Sequence, residues 1–280
     1  MFIIALDIGG TNIRAAIARN DGKLLQVVKE NTLRHDKELF IAQVKGIITQ
    51  LDLSKYDPIA ISIGVPGRVR KNGFIDELPN IGIKNIDLVT TLEKTFKLPV
   101  SVRNDAEMAA FAEAVFGAGK NLNSTYFVTI STGIGGCLIV DQAIKNPSKE
   151  IGHTLVAYRG NFYELEKIAS GDGVIKLAAL NNIYYANAPS FFKDVAAKVP
   201  YALKIFEEWL ILITDFFTFV NKAFTPDVIA VTGGVLKSKE LFWDELRKRV
   251  PNANIQIAHF SEDAGLVGAA SYGFKLFGAQ

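Results

Sequence analysis

Cysteine is almost missing from this chain. Its 280 residues include one, Cys137, which excludes a disulfide framework within the chain and a cysteine-rich zinc site. A reducing cytoplasm is the compartment that suits such usage. Histidine is nearly as scarce, and of His35, His153 and His259 only His153 has a motif around it. An excess of one charge is missing too. The 31 basic and 29 acidic residues are mixed along the chain and leave a net charge of +2, so bulk charge makes no case for a nucleic-acid or membrane surface. Long hydrophobic runs are absent as well. The most apolar segment, 201–224, is interrupted by Glu207, Glu208 and Asp215 and reads as a core helix, not a membrane span. The opening "MFIIALDIGG" has no basic region before its apolar stretch and reads as a buried strand, not a signal peptide.

What is present is an alternation of strands and helices, the mark of an α/β protein. "FIIALDIGG" reads as a strand, and 11–30 as two more with an Asn20-Asp21-Gly22 turn of the kind that favours hairpins. "DKELFIAQVKGIITQL" has the helical period, with Asp36 placed to cap it. "IAISIGVPG" and "LPVSVRND" read as strands, and "AEMAAFAEAVFG" as an Ala-rich helix closed by Gly117. The opening pattern of strand, glycine turn and strand then returns in "TYFVTISTGIGGCLIVDQAI", which indicates an internal duplication. Helices are expected over 161–170, 173–181, 201–224, 238–250 and 263–277, with strands at "DVIAVTGG" and "NIQIAH".

Three glycine loops carry the chemistry. "DIGGTN" joins two strands, whereas a Walker loop or a dinucleotide fingerprint would have to open a helix. A glycine hairpin turn can still hold phosphate through backbone N–H groups, here in the turn Gly9, Gly10, Thr11 and Asn12, with the Thr11 hydroxyl as a further donor. Asp7 would repel phosphate directly and is placed to act on Mg²⁺ or its waters. "STGIGG" offers similar donors from Ser131, Thr132, Gly133, Gly135 and Gly136. Gly233 and Gly234 of "VTGGVLKS" could let an adenine or ribose lie against the backbone.

Taken in order, these loops resemble the sugar-kinase branch of the actin/hexokinase-type ATPases, in particular the ROK family. "ALDIGGTNIRAAI" and "TISTGIGGCLI" resemble its two phosphate motifs, and "PDVIAVTGGV" its adenosine motif. "VRNDAEMAAFAEAVFG" resembles its catalytic segment, "EIGHTLV" its sugar-binding motif and "EDAGLVGAA" its closing helix. The resemblance runs from Asp7 to Ala270. It implies two RNase H-like lobes with an interlobe cleft, the smaller over 1–105 with the closing helix 263–280 packed on it and the larger over 106–262. It implies ATP and Mg²⁺ as cofactors, a hexose as the small-molecule partner, no nucleic acid or membrane, and a homodimer.

By the same resemblance Asp105 is the catalytic base, and the start of a helix would keep it ionised. The plainer reading makes Asn104 or Asp105 a helix cap, which is compatible with that role. Gly67, Arg68, Asn80, Asn104, Glu150, His153 and Glu166 match sugar-contacting positions. The implied reaction transfers the γ-phosphoryl group of ATP to the 6-hydroxyl of a hexose, glucose first, with fructose or N-acetylated hexosamines as alternative acceptors. A sugar-responsive regulator is the remote alternative. Such members carry a helix-turn-helix ahead of the first phosphate motif, which here begins at Asp7.

One departure stands out. Many family members follow the motif histidine with a cysteine-rich zinc loop, and "YRGNFYELEKIASG" has no cysteine there. "LEKIASG" matches the end of that motif and sets Glu166 at its final glutamate. Glu164 then stands where a metal-binding cysteine would be and is left without a role. His153 alone cannot build a tetrahedral zinc site. A di-iron reading of Glu150 and His153 would need a helix and a second such pair. The expectation is a protein without structural zinc.

Overall fold

The computed structural model describes residues 1–145 and 151–278. The chain divides into two compact units, Met1–Lys120 with His259–Gln280, and Asn121–Ala258.

The first unit begins with β1 (Phe2–Ile8), β2 (Asn12–Arg19) and β3 (Leu24–Asn31), an antiparallel meander. Helix α1 (Lys37–Thr49) follows, its Asp36 cap accepting from Leu39 N–H at 3.0 Å, then the short α2 (Leu53–Tyr56). The chain returns to β4 (Ile61–Val65), parallel to β1. A small antiparallel sheet of β5 (Arg68–Val69), β6 (Ile75–Leu78) and β7 (Ile83–Ile86) leads to α3 (Leu88–Phe96), β8 (Val100–Asn104) and α4 (Asp105–Val115). The main sheet order is β3-β2-β1-β4-β8. Alternation along β1 decides what each face meets. Ile4, Leu6 and Ile8 pack with Phe40, Val44 and Ile47 of α1. Ile3 and Asp7 face the closing helix Ala264–Phe277, which is α10 in chain order.

The second unit repeats the plan. Strands β9 (Ser124–Ile130), β10 (Ile134–Val140) and β11 (Ala143–Ile144) form its meander. A 3₁₀ turn at Ile151–His153 leads to β12 (Leu155–Tyr158) and β13 (Asn161–Glu164). Helices α5 (Leu165–Ala169), α6 (Gly173–Leu180), α7 (Ala188–Ala196) and α8 (Pro200–Phe224) follow. Strand β14 (Val228–Thr232), a 3₁₀ stretch at Gly234–Leu241, α9 (Trp243–Arg249) and β15 (Ile255–Ile257) complete the unit. Its sheet order is β11-β10-β9-β14-β15, with the same two antiparallel and two parallel pairings as the first. The duplication thus extends from a hairpin to a whole five-stranded sheet. Trp209 of α8 is fully buried at the centre of this core, and its Nε1–H donates to the Ala169 carbonyl at 2.8 Å.

Four sequence expectations change. The unit boundary falls after Lys120, not at 105/106, and the return is at His259. The cause is α4, which packs on α10. Its buried Glu113 also accepts from the N–H groups of His259 (3.0 Å) and Phe260 (2.7 Å). The expected helix over 161–170 is a strand followed by a short helix. Arg159 and Gly160 take φ of 50° and 77°, the left-handed pair of a tight hairpin turn, and the β-forming Val156, Tyr158, Phe162 and Tyr163 flank it. The expected helix over 238–250 breaks at Phe242, whose buried ring packs edge-on against Trp209 at 5.2 Å. Gly135 and Gly136 lie in β10 and not in the turn before it. Among the described residues no helix is long and apolar enough to cross a membrane.

Candidate functional site

In the first unit, Asp7 lies near the end of β1, opposite Arg14 on β2 and beside Gly64 on β4. The first turn of α10 comes against it so closely that a Cβ on Gly265 would collide with the Asp7 carboxylate. Arg14 donates to the Asp263 carboxylate and the Glu262 carbonyl, which anchors that turn. Burial raises the Asp7 pKa above the ordinary carboxylate range; Arg14 works against this and Asp263 adds to it. The glycine turn beside Asp7 is braced by its own backbone. Gly9 N–H donates to Asn12 O (2.8 Å), and Thr32 holds the carbonyls of Gly9 (2.7 Å) and Thr11 (2.9 Å). Asn80 packs over this turn, since a Cβ on Gly10 would lie 2.7 Å from the Asn80 Cβ.

Asn104 and Asp105 mark the change from β8 to α4, and each has its own task. Asn104 is the cap. Its Oδ1 accepts from Ala106 N–H (2.9 Å) and Glu107 N–H (3.4 Å), while its Nδ2 donates to Gly67 O (3.0 Å) and ties down that loop. Asp105 accepts from Ala106 N–H at 2.8 Å and keeps part of its surface open to solvent. The helix start does not hold it at an ordinary pKa. Burial pushes it up to about 6, the Asp7 charge adds to the rise, and the Ala106 N–H offsets only part of it. Arg68 is exposed on β5, opposite Glu77.

In the second unit the turn Ser131–Gly133 is held by the segment after α5. Gly171 N–H donates to Ser131 O (2.7 Å), and Ser170 Oγ to Thr132 O (2.7 Å). Beside it opens a cavity of about 710 Å³ whose lining includes Thr132, Gly234, Ser238, Pro189 and Phe192. This joins an apolar slot to hydroxyl and amide groups, a mixture that suits a planar base with a polar tail. Gly133 and Gly233 are not among its lining residues. Gly233 instead runs at φ 110° against the Ile130 carbonyl, with no room for a side chain. Sequence reasoning missed the α7 wall of the cavity. Its signal was "NAPS", where Asn187 caps by accepting from Ser190 N–H (2.9 Å) and Pro189 sits in the first turn.

The predicted sugar residues of this unit gather near that turn. Glu166 lies over it, for a Cβ on Gly133 would stand 2.6 Å from Glu166 Oε2. Burial raises the Glu166 pKa, but Lys167 (2.9 Å), the Ile134 N–H and His153 outweigh it and hold the carboxyl below its usual range. His153 is exposed, and its Nδ1 lies 3.0 Å from Glu164 Oε2. The ligating atoms of His153, Glu164 and Glu166 lie within 4.8 Å of one another. Glu164, left without a role in the sequence, is therefore part of this cluster. The hairpin brings it back beside His153, which the helix expected there concealed. Glu150 lies outside the described residues.

The chain is similar to known proteins along almost its whole length. Residues 3–273 match the ROK family. A ROK hexokinase from Thermus thermophilus superposes with a TM-score of 0.84 at 26% identity, over 97% of both chains. A ROK family glucokinase from Streptomyces griseus in complex with glucose and AMPPNP superposes with a TM-score of 0.71 at 26% identity, over 97% of this chain and 99% of that one. The xylose repressor of Bacillus spizizenii is 30% identical over 67% of this chain and 56% of its own length. A family match over nearly the whole length, two like sheets and an actin/hexokinase-type α/β fold together make the chain a member of the ROK family.

Proposed function

We propose that this chain is an ATP-dependent sugar kinase that transfers the γ-phosphoryl group to the 6-hydroxyl of a hexose, with glucose as the leading substrate. The observation that carries the reading is Asp105. It is a carboxylate fixed at a helix start, partly open to solvent, with its pKa raised to about 6. That is the tuning a general base needs to accept a hydroxyl proton near neutral pH. Asp105 orients the hydroxyl and takes its proton, and Asn104 and Gly67 fix the loop beside it.

The Asp7 charge helps raise the Asp105 pKa, and burial and Asp263 raise that of Asp7, so a divalent cation would suit the pair. Mg²⁺ bound near Asp7, through water, would supply charge neutralisation for the phosphates. In the second unit the cavity beside Thr132 and Gly234 suits the adenosine of ATP. His153 and Glu166 offer acceptors and a donor to sugar hydroxyls. Fructose and N-acetylated hexosamines are the alternative acceptors.

A coupled assay with Mg·ATP and a panel of glucose, mannose, fructose and N-acetylated hexosamines tests the reading. Turnover of at least one sugar is expected. Asp105→Asn should lower kcat by about 10²–10⁴-fold while sugar binding, followed by calorimetry, is kept. An active Asp105→Asn enzyme, or ATP hydrolysis indifferent to sugar, would sink the mechanism. The likeness to a xylose repressor gives a second reading, a sugar-responsive regulator. Sugar binding with no phosphorylation of any panel member would favour it.

A further inference from the structure

We propose that Arg14 is a positioning residue for Asp7. Its guanidinium seats the first turn of α10 against the Asp7 carboxylate and so holds that carboxylate ready for a divalent cation. The inference rests on reading Asp7 as the residue that serves Mg²⁺ through water.

Strand register puts Arg14 in place. It pairs with Asp7 on β1 and with Lys29 on β3, so its backbone is held from both sides. One terminal nitrogen donates to the Glu262 carbonyl and the other to the Asp263 carboxylate. A planar fork with an acceptor on each prong fixes direction as well as distance. Asp263 is given over to this contact. It holds the N-cap position of α10, yet its side chain makes no capping hydrogen bond. The Arg14 side chain is only 17% exposed, so water is poorly placed to substitute for it.

The packing of α10 shows why this end needs a fastener. Gly265 and Gly268, three residues apart, share one face of the helix. Gly265 lies against the Asp7 carboxylate and Gly268 against the Met108 carbonyl of α4, both too close for a Cβ. Met108 is three residues after Asp105, so one face of α10 meets both Asp7 and the helix that begins at Asp105. Glycine permits such an approach but has no side chain to hold it. Arg14, from the strand beside Asp7, supplies the hold at the end of α10 nearest the carboxylate.

Three measurements on the full chain test this. Amide hydrogen exchange at Val267, whose N–H donates to the Asp263 carbonyl (2.9 Å), reports the first turn of α10 without metal or nucleotide. Calorimetry gives the affinity for AMPPNP with and without Mn²⁺, and kinetics give the sugar KM. Arg14→Met should speed exchange at Val267 about tenfold and weaken Mn·AMPPNP binding about five- to tenfold. Metal-free AMPPNP affinity and the sugar KM should stay as they are. Arg14→Lys keeps the charge but reaches one acceptor, and should recover part of both losses. Asp263→Ala should act in the same direction, more weakly, and add nothing to Arg14→Met. If Arg14→Met does not fold, Arg14→Lys and Asp263→Ala carry the comparison. Unchanged Mn·AMPPNP affinity in the folded variants would overturn the proposal, whatever their unfolding midpoints do. So would a loss that falls equally on metal-free AMPPNP, or full recovery by Arg14→Lys while Val267 still exchanges fast. The expected changes in a chain that phosphorylates no sugar of the panel would uphold the placement and reject the kinase reading.

Discussion

The first strands of the two units can be laid side by side. In the first, the hairpin register sets Asp7 opposite Arg14, with Gly64 on the parallel neighbour. In the second, the same register sets Thr129 opposite Gly135, with Thr232 on the parallel neighbour. The turns differ as well. Gly9 to Asn12 separate the last paired residues Ile8 and Ile13, whereas Ser131 to Gly133 separate Ile130 and Ile134. One sheet plan therefore carries a half-buried carboxylate opposite an arginine at one turn and a neutral, hydroxyl-bearing position at the other. A carboxylate at the turn repels phosphate but attracts a cation, and threonine beside free glycine backbone does neither. The fold supplies two similar ledges, and a few side chains give them different electrical roles.

The sharpest way to break this comparison is to remove each ledge's polar side chain in turn. Asp7→Asn should lower kcat/KM about 10–100-fold, the usual loss when a partner that acts through metal-bound water is removed. Thr129→Val should cost under about fivefold, the worth of one ordinary hydrogen bond. Raising Mg²⁺ should rescue Asp7→Asn in part and leave Thr129→Val unmoved. Equal losses in a Mg²⁺ titration would mean that the two turns are not divided in this way.

The carboxylates of the two units should also respond to pH with opposite sign. Asp105 has a folded pKa raised from 3.8 to about 6, so the folded state binds its proton more tightly than the unfolded chain does. Its charge then weakens the fold above about pH 6, and the cost vanishes below the unfolded value. Asp105→Asn should therefore stabilise the protein at pH 8 by up to about 3 kcal/mol, less for the part that water screens, and leave it unchanged near pH 3.8. The same titration should make kcat/KM fall below about pH 6. Glu166 has a lowered pKa, so its contribution is present above the unfolded value of 4.5 and is lost as pH falls through the folded one. Glu166→Gln should therefore destabilise at neutral pH and have no effect in strong acid. Denaturant melts of both variants across that range would show the crossing.

Much of this was legible in the sequence, because local chemistry dictates it. Asp36 before a 3.6-residue period makes α1, and a glycine turn between two strand patterns excludes a Walker loop. The order of motifs singled out Asp7, Asn104, Asp105, His153 and Glu166, the residues on which the proposed function draws. What could not be read depended on contacts distant in sequence. The pKa of Asp105 follows from burial and from Asp7, far away along the chain. Glu164 looks idle in the sequence because a helix is expected over 161–170. Its partner appears only once Arg159 and Gly160 turn the chain back on itself. One wall of the cavity beside Thr132 comes from α7, whose cap is visible at Asn187 but whose place beside Thr132 is not.

A smaller contrast lies in how each unit pins its own chain ends. In the first, Glu113 is fully buried and accepts from the N–H groups of Ala118 (2.9 Å), His259 (3.0 Å) and Phe260 (2.7 Å). In the second, Asp227 is exposed and accepts from Asn123 N–H (3.0 Å), Ser124 N–H (2.8 Å) and Ser124 Oγ (3.0 Å). The two carboxylates hold similar numbers of donors, but water can replace only one of them. Removing Glu113 strands donors in the interior, each carrying a desolvation cost, so Glu113→Ala should lose about 3–4 kcal/mol in denaturant unfolding. Asp227→Ala should lose about 1 kcal/mol, because solvent takes over its donors. Glu113→Gln separates charge from geometry. If it recovers most of the loss, the interior needs an acceptor there, and if it recovers none, it needs the negative charge that three converging N–H dipoles stabilise.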